Sequence, residues 1–238
     1  MNGVTLAIAY GLIAGMMIPL GGFIASIERI RPAWVETEVR HSVMAFGGGV
    51  LIAAVSLVLV PEGLRELSAV PALLSFAGGG IAIGVAELYG GRGLIKPQFL
   101  AMLADFLPEA IALGALLASG ASSTLLLAML IGLQNLPEGF NAYREFMSRD
   151  ASTRRRRKVL GVFAIVGLLG PLTCLFGYFV LADFRALNAA IMLAAAGAIL
   201  FLMFQDIAPR AHLRHKVAPS LAGVAGFSLG LLGQALLG

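Results

Sequence analysis

Charge is scarce in this sequence. Only 13% of its 238 residues are Asp, Glu, Lys or Arg, while 59% are hydrophobic and the mean hydropathy is +0.91. Soluble domains carry about 25% charged residues, so a water-soluble globule is excluded: too little polar surface exists to cover it. Cysteine is limited to Cys174, which excludes an intramolecular disulfide and leaves the redox compartment open. Histidine is limited to His41, His212 and His215, all near the ends of apolar stretches. There is no HExxH element and no Ser/His pair. An intramembrane aspartyl protease needs two aspartates on two helices, and only Asp105 lies mid-stretch, so no enzyme is expected. The net charge of +4 and pI of about 9.6 raise the question of nucleic acid. The basic residues have a topological explanation instead, and no nucleic-acid partner is expected.

What the chain does have is eight apolar stretches, at roughly 4–27, 41–61, 70–90, 98–119, 122–143, 159–181, 187–209 and 217–237. Each approaches the ~20 residues that cross a hydrocarbon core as a helix. The expectation is an all-α integral membrane protein, one transporter-like domain over 1–238, in contact with the lipid bilayer along its length. The first stretch does not read as a cleaved signal, because no Lys or Arg precedes it and no small-x-small site follows. Glycines at four-residue spacing, Gly11/Gly15, Gly80/Gly84 and Gly226/Gly230, put small residues on one helix face for close packing. With the N-terminus outside, only Arg65 and Arg185 of the 17 Lys and Arg fall outside, leaving 15 inside. That bias predicts an even number of spans, both termini outside, and the Arg154–Lys158 run as a cytoplasmic anchor beside anionic lipid. Trp34 and Tyr89 suit interfacial anchoring.

Charges at bilayer depth cost about 2.5–3.5 kcal/mol each on insertion scales and usually mark a site. Three acids lie inside apolar stretches: Asp105 and Glu109 in the fourth, Glu138 in the fifth, the last accompanied by Gln134 and Asn135. The fourth stretch reads DFLPEA and the fifth QNLPEG, one motif repeated 29 residues on. Adjacent spans run antiparallel, so the copies are related by inversion, a construction that transporters use at substrate sites. Asp105 and Glu109 share a helix face at i and i+4, as do Gln134 and Glu138. Pro108 and Pro137 each remove a backbone donor beside the acids. No Lys, Arg or His lies within these stretches to neutralise the carboxylates, which therefore need protons or a cation. Oxygen donors suit a divalent metal. Asp105, Glu109, Gln134, Asn135 and Glu138 are the expected metal-site residues, with the ion as cargo. Glu62, Glu66 and Asp183 are candidates for collecting cations at the outer mouth. His41, His212 and His215, with Asp206, are candidates for hand-off at the inner one. Glu87 is expected to snorkel to the interface or to pair with Arg92.

These residues resemble the ZIP (ZRT/IRT-like) divalent metal transporters, in particular the bacterial branch with HNxPEG motifs on the fourth and fifth helices. Supporting features are the glycine-rich second stretch ending in Pro-Glu (Gly47 to Glu62) and the seventh ending at Gln205 to Pro209. The resemblance implies a bundle of eight transmembrane helices in a 3+2+3 arrangement with inverted repeats. It also implies a homodimer in the plasma (inner) membrane and movement of metal toward the cytoplasm. The cargo it implies is zinc, with manganese or iron as alternatives. The mechanism it suggests is an elevator-like motion of helices one, four, five and six. The departures are specific. Asp105 and Gln134 stand where the family motif has histidines. Phe106 replaces an Asn of the second metal position, and Gly170 replaces a Glu before Pro171. One ion position is therefore expected to survive, made only of oxygens, and the second to be lost. The alternative is a transport-deficient metal-binding or regulatory protein descended from such a transporter.

Overall fold

The computed structural model describes residues 2–27, 33–89, 97–147, 152–181, 183–211 and 216–237. Among them are eight helical rods and no strand. In chain order α1 is Gly3–Ile27; α2 is Ala33–Ala54, continued by a π-helical turn Val55–Leu59 and the helix Val60–Glu66; α3 is Ala69–Tyr89; α4 is Pro97–Ser119; α5 is Thr124–Met147. α6 is Thr153–Phe176 with a π-helical turn Gly177–Leu181; α7 is Arg185–Leu202 with a π-helical turn Met203–Ile207 and a last turn Ala208–Ala211; α8 is Ala218–Leu237. Each apolar stretch of the sequence lies largely within one rod. α2 and α6 begin well before the stretches at 41 and 159, because backbone hydrogen bonding continues through polar residues that hydropathy discounts. Arg29, Arg31, Arg92, Lys96, Arg149, His212, Arg214 and His215 lie outside the described residues, as do the side chains of Trp34 and Tyr89.

Among the described residues six helices are long and apolar enough to cross a membrane: Gly3–Ile27, Thr37–Glu66, Ala69–Leu88, Thr153–Leu181, Arg185–Ala211 and Ala218–Leu237. The protein is thus a helical membrane protein. α5, the rod bearing Gln134, Asn135 and Glu138, is not among the six, although it is 24 residues long and fully described; with α4 it carries the acids. The two rods occupy the interior, where most of α5 is buried. A helix surrounded by other helices needs no lipid-compatible surface, so it tolerates polar side chains that would be costly facing acyl chains. By contrast α3 and α8 expose long apolar side chains such as Leu73, Leu74, Ile81, Leu221 and Leu236.

The rods fall into two groups, α1, α4, α5 and α6 packed on one another, and α2 packed on α8 and α7 with α3 on α7; the groups meet where α2 packs on α5 and α4 on α7. Apolar side chains alone give little reason for helices to associate in lipid, so close backbone approach matters. Gly15 of α1 and Gly167 of α6 each lie under the other's carbonyl oxygen. Gly49 and Gly226 set α2 against α8 in the same way, at Gly223 O and Phe46 O. These approaches lie inside the groups. Where α2 meets α5, a Cβ on Gly47 would stand 2.8 Å from Pro137 Cγ.

The π-helical turns at 55–59 and 203–207 each end two residues before a proline, Pro61 and Pro209. Proline cannot donate an i→i−4 bond, and a wider turn absorbs the defect without breaking the rod. Polar side chains tie the rod ends together. At one end Arg65 Nη1 donates to both oxygens of Glu62 at 2.8 Å, Ser123 Oγ donates to Glu62 Oε1 at 2.6 Å, and Arg185 lies 3.9 Å from Glu66. At the other, Lys216 pairs with Glu38 at 3.2 Å and Arg156 Nη2 donates to Ser26 Oγ at 3.0 Å. The two arginines assigned to the outer side therefore neutralise Glu62 and Glu66. Those acids are engaged in holding rod ends together, while Asp183 is exposed.

Candidate metal centre

The site is built by the hairpin of α4 and α5. α4 stops in a Schellman turn: Gly120 takes φ 74°, its N–H donates to Leu117 O, and the Ala121 N–H donates to Leu116 O. Only residues 120–123 separate the two helices, so they return antiparallel and their register is set by the turn. Glu109 and Gln134 lie equally far from the turn centre, and so do Asp105 and Glu138, one helical turn further out. In the motif Asp105 corresponds to Gln134 and Glu109 to Glu138. Inversion crosses those correspondences in space.

The geometry follows that register. Gln134 Nε2 donates to Glu109 Oε2 at 2.5 Å, and both side chains are fully buried. Asp105 and Glu138 line a common cavity of about 50 Å³, together with Met102, Asn141 and Pro137 of the hairpin. Its far wall comes from Met44, Gly47, Gly48 and Leu51 of α2 and from Leu202, Asp206, Ile207 and Arg210 of α7. The cavity thus sits on the seam between the two helix groups. Asp105 and Glu109 both act electrostatically on Glu138. Asn135 is turned the other way: its Nδ2 donates to Ala14 O of α1 at 2.8 Å.

Buried polar atoms in proteins nearly always have partners. Here Asp105 Oδ1, Glu109 Oε1, Gln134 Oε1, Asn135 Oδ1 and Glu138 Oε2 are buried with no hydrogen-bond partner. All five are oxygens, and they belong to the five residues singled out from the sequence. Such a set lacks donors or a cation. Among the described residues, however, no group of three or more His, Cys, Asp or Glu side chains is arranged to hold a metal ion. The arrangement is two coupled pairs, one enclosed (Glu109–Gln134) and one facing the cavity (Asp105 and Glu138).

The two departures at the second ion position are structurally linked. Phe106 is fully buried, and a Cβ on Gly170 would stand 3.1 Å from Phe106 Cζ and closer still to Gly11 O. The phenyl ring and the close α1–α6 approach fill the space that a longer residue at 170 would need. Met102, Asn141, Met44, Asp206 and Arg210 were not picked out as lining residues from the sequence, although Asp206 was noted near the inner mouth. Met102 and Asn141 were findable, since each lies three residues from a motif acid on the same helix face. Nothing in the sequence brings α2 and α7 to that face. Asp206 sits in the π-helical turn of α7 and ion-pairs with Arg210. A cation thus lines the cavity although none lies within the apolar part of α4 or α5. His41 Nδ1 lies 2.6 Å from Thr37 O, one turn before Met44 on α2, and is not among the residues that line the cavity.

No protein-family model matches this chain, and no curated protein matches it either.

Proposed function

We propose that the chain is a ZIP-like transporter of divalent metal cations, spanning the inner membrane eight times with both termini outside and moving its cargo toward the cytoplasm. The observation that carries this reading is the set of five partnerless buried oxygens contributed by Asp105, Glu109, Gln134, Asn135 and Glu138. Carboxylates left in this state destabilise an empty site, and a divalent cation relieves them. Asp105 and Glu138 meet the ion in the cavity. Glu109 joins them when Gln134 turns its amide, exchanging Nε2 for the free Oε1, an interchange that costs no change of shape. The cavity lies between the two helix groups, where α2 faces α5 and α4 faces α7. That division suits an elevator-like displacement of α1, α4, α5 and α6 carrying the ion past α2, α3, α7 and α8. Metal-dependent filling of proteoliposomes loaded with chelating dyes tests the reading. Tight metal binding without filling identifies the alternative, a binding protein in which the Gln134–Glu109 bond keeps the site closed.

Selectivity follows from donor chemistry. An all-oxygen site favours zinc less than an imidazole site does, and accepts manganese or iron(II) readily. Changing Asp105→His together with Gln134→His is expected to shift competitive uptake toward zinc and away from manganese by about tenfold or more. An unchanged ratio means that these positions do not ligate the ion.

The topology has its own test. Cysteines introduced at exposed Ser122 and Ser152 are expected to react with an impermeant thiol reagent from opposite sides of the membrane. The native Cys174 is fully buried and leaves the background low. Labelling of both from one side rules out the eight-span arrangement.

A further inference from the structure

The first turns of α6 carry Arg154, Arg155, Arg156, Arg157 and Lys158 in sequence, with no acidic residue in the first turn. Arg156 is committed to Ser26 of α1. Arg154, Arg157 and Lys158 are exposed, and no described residue forms an ion pair with any of them. Arg154 and Lys158 are four residues apart, so they share a face, and Arg157 borders it. Continued along the helix, that face carries Gly161 and Val162, then Ile165, Leu168, Leu172 and Phe176, all exposed. A Cβ on Gly161 would meet nothing within 4 Å, so the helix surface is notched directly beneath the cations. Below the notch the exposed side chains are apolar for several turns, which places the cations at headgroup depth.

We infer that the start of α6 is a binding site for an anionic phospholipid, whose phosphate is held by Arg154, Arg157 and Lys158 while an acyl chain lies over Gly161 and along Ile165, Leu168 and Leu172. Guanidinium and ammonium donors match phosphate oxygens, and among the described residues no acidic side chain pairs with these three cations. The apolar face supplies the chain contact that a free phosphate lacks. The inference does not depend on whether the protein moves metal.

The test uses the purified full chain in detergent, with phosphatidylglycerol, phosphatidylcholine and glycerol 3-phosphate as probes. Binding is read by native mass spectrometry and by the rise in Tm. Phosphatidylglycerol is expected to bind and raise Tm, while phosphatidylcholine and glycerol 3-phosphate do neither. Each basic residue near a lipid surface is worth about fivefold in affinity. The triple change Arg154→Gln, Arg157→Gln, Lys158→Gln is therefore expected to weaken phosphatidylglycerol binding roughly 100-fold. Replacing both arginines by lysine keeps most of the affinity, which separates loss of charge from damage to the helix. Gly161→Phe fills the notch and is expected to weaken phosphatidylglycerol without changing the charge. Equal binding of the two lipids by the native chain overturns the inference, as does undiminished phosphatidylglycerol binding by the triple variant. A response to glycerol 3-phosphate as large as that to phosphatidylglycerol removes the acyl chain from the site.

Discussion

Glu138→Ala and Glu109→Ala are each expected to lower metal uptake by on the order of 100-fold or more. Changes to residues that merely orient metal ligands cost about 10–100-fold, and a lost carboxylate ligand costs at least the upper end of that range. Each carboxylate has a buried oxygen without a partner, so removing the charge relieves the protein of it. Glu109→Ala also leaves the buried Gln134 Nε2 without its acceptor and is expected to lower Tm on that account. The isosteric variants sharpen the distinction. Glu138→Gln and Glu109→Gln remove the charge and keep the shape, so their Tm should equal or exceed that of the native chain while uptake disappears. The decisive comparison is uptake into proteoliposomes beside thermal unfolding of the same preparation. Normal uptake in both variants would remove the metal site proposed here. Loss of uptake accompanied by an equal loss of Tm would instead make the acids structural. Titration of the native protein is expected to give one tightly held ion per chain, because the Phe106 ring and the Gly11–Gly170 approach occupy the space that a longer residue at 170 would need.

Gly15→Leu is expected to destabilise the protein by about 3 kcal/mol or more, at the upper end of what overpacking costs. The new side chain would meet the carbonyl oxygen and Cα of Gly167. Those are backbone atoms of α6, which cannot rotate aside as a side chain can. α1 must move away from α6 along its length, and the interior holding Asn135 against Ala14 moves with it. Gly78→Leu provides the control, since a Cβ there would meet nothing within 4 Å and the position faces outward. Thermal unfolding in detergent should show a large fall in Tm for the first variant and almost none for the second. Similar behaviour of the two would mean that backbone approach between α1 and α6 contributes little.

The segment order was legible because hydropathy and helix length are local quantities. All eight apolar stretches lie largely in rods, and the hairpin of α4 and α5 could be anticipated from the short gap between the stretches ending at 119 and starting at 122. The pairing within it was not read from the sequence: it needs the position of the Gly120 turn, from which Glu109 is level with Gln134 and Asp105 with Glu138. What composition could not separate was the role of each rod. Among the described residues α4 and α5 hold the buried acids and amides and pack among the other rods, whereas α3 and α8 expose long apolar side chains. Enclosure depends on neighbours distant in sequence.

The sequence by itself determined that the protein is helical and embedded in a membrane, and that Asp105, Glu109, Gln134, Asn135 and Glu138 are its unusual residues. Those conclusions rest on the cost of charge in hydrocarbon and on the geometry of one helix or one hairpin, which neighbouring residues dictate. Only the tertiary structure decided that the five residues divide between an enclosed pair, a cavity-facing pair and an amide tied to α1. It alone brought Met44 of α2 and Asp206 with Arg210 of α7 to the cavity opposite the acids. It also showed the Phe106 ring against Gly170. These relations are set by which glycines let which backbones meet. Such choices are made between rods dozens of residues apart, where no local spacing in the chain records them.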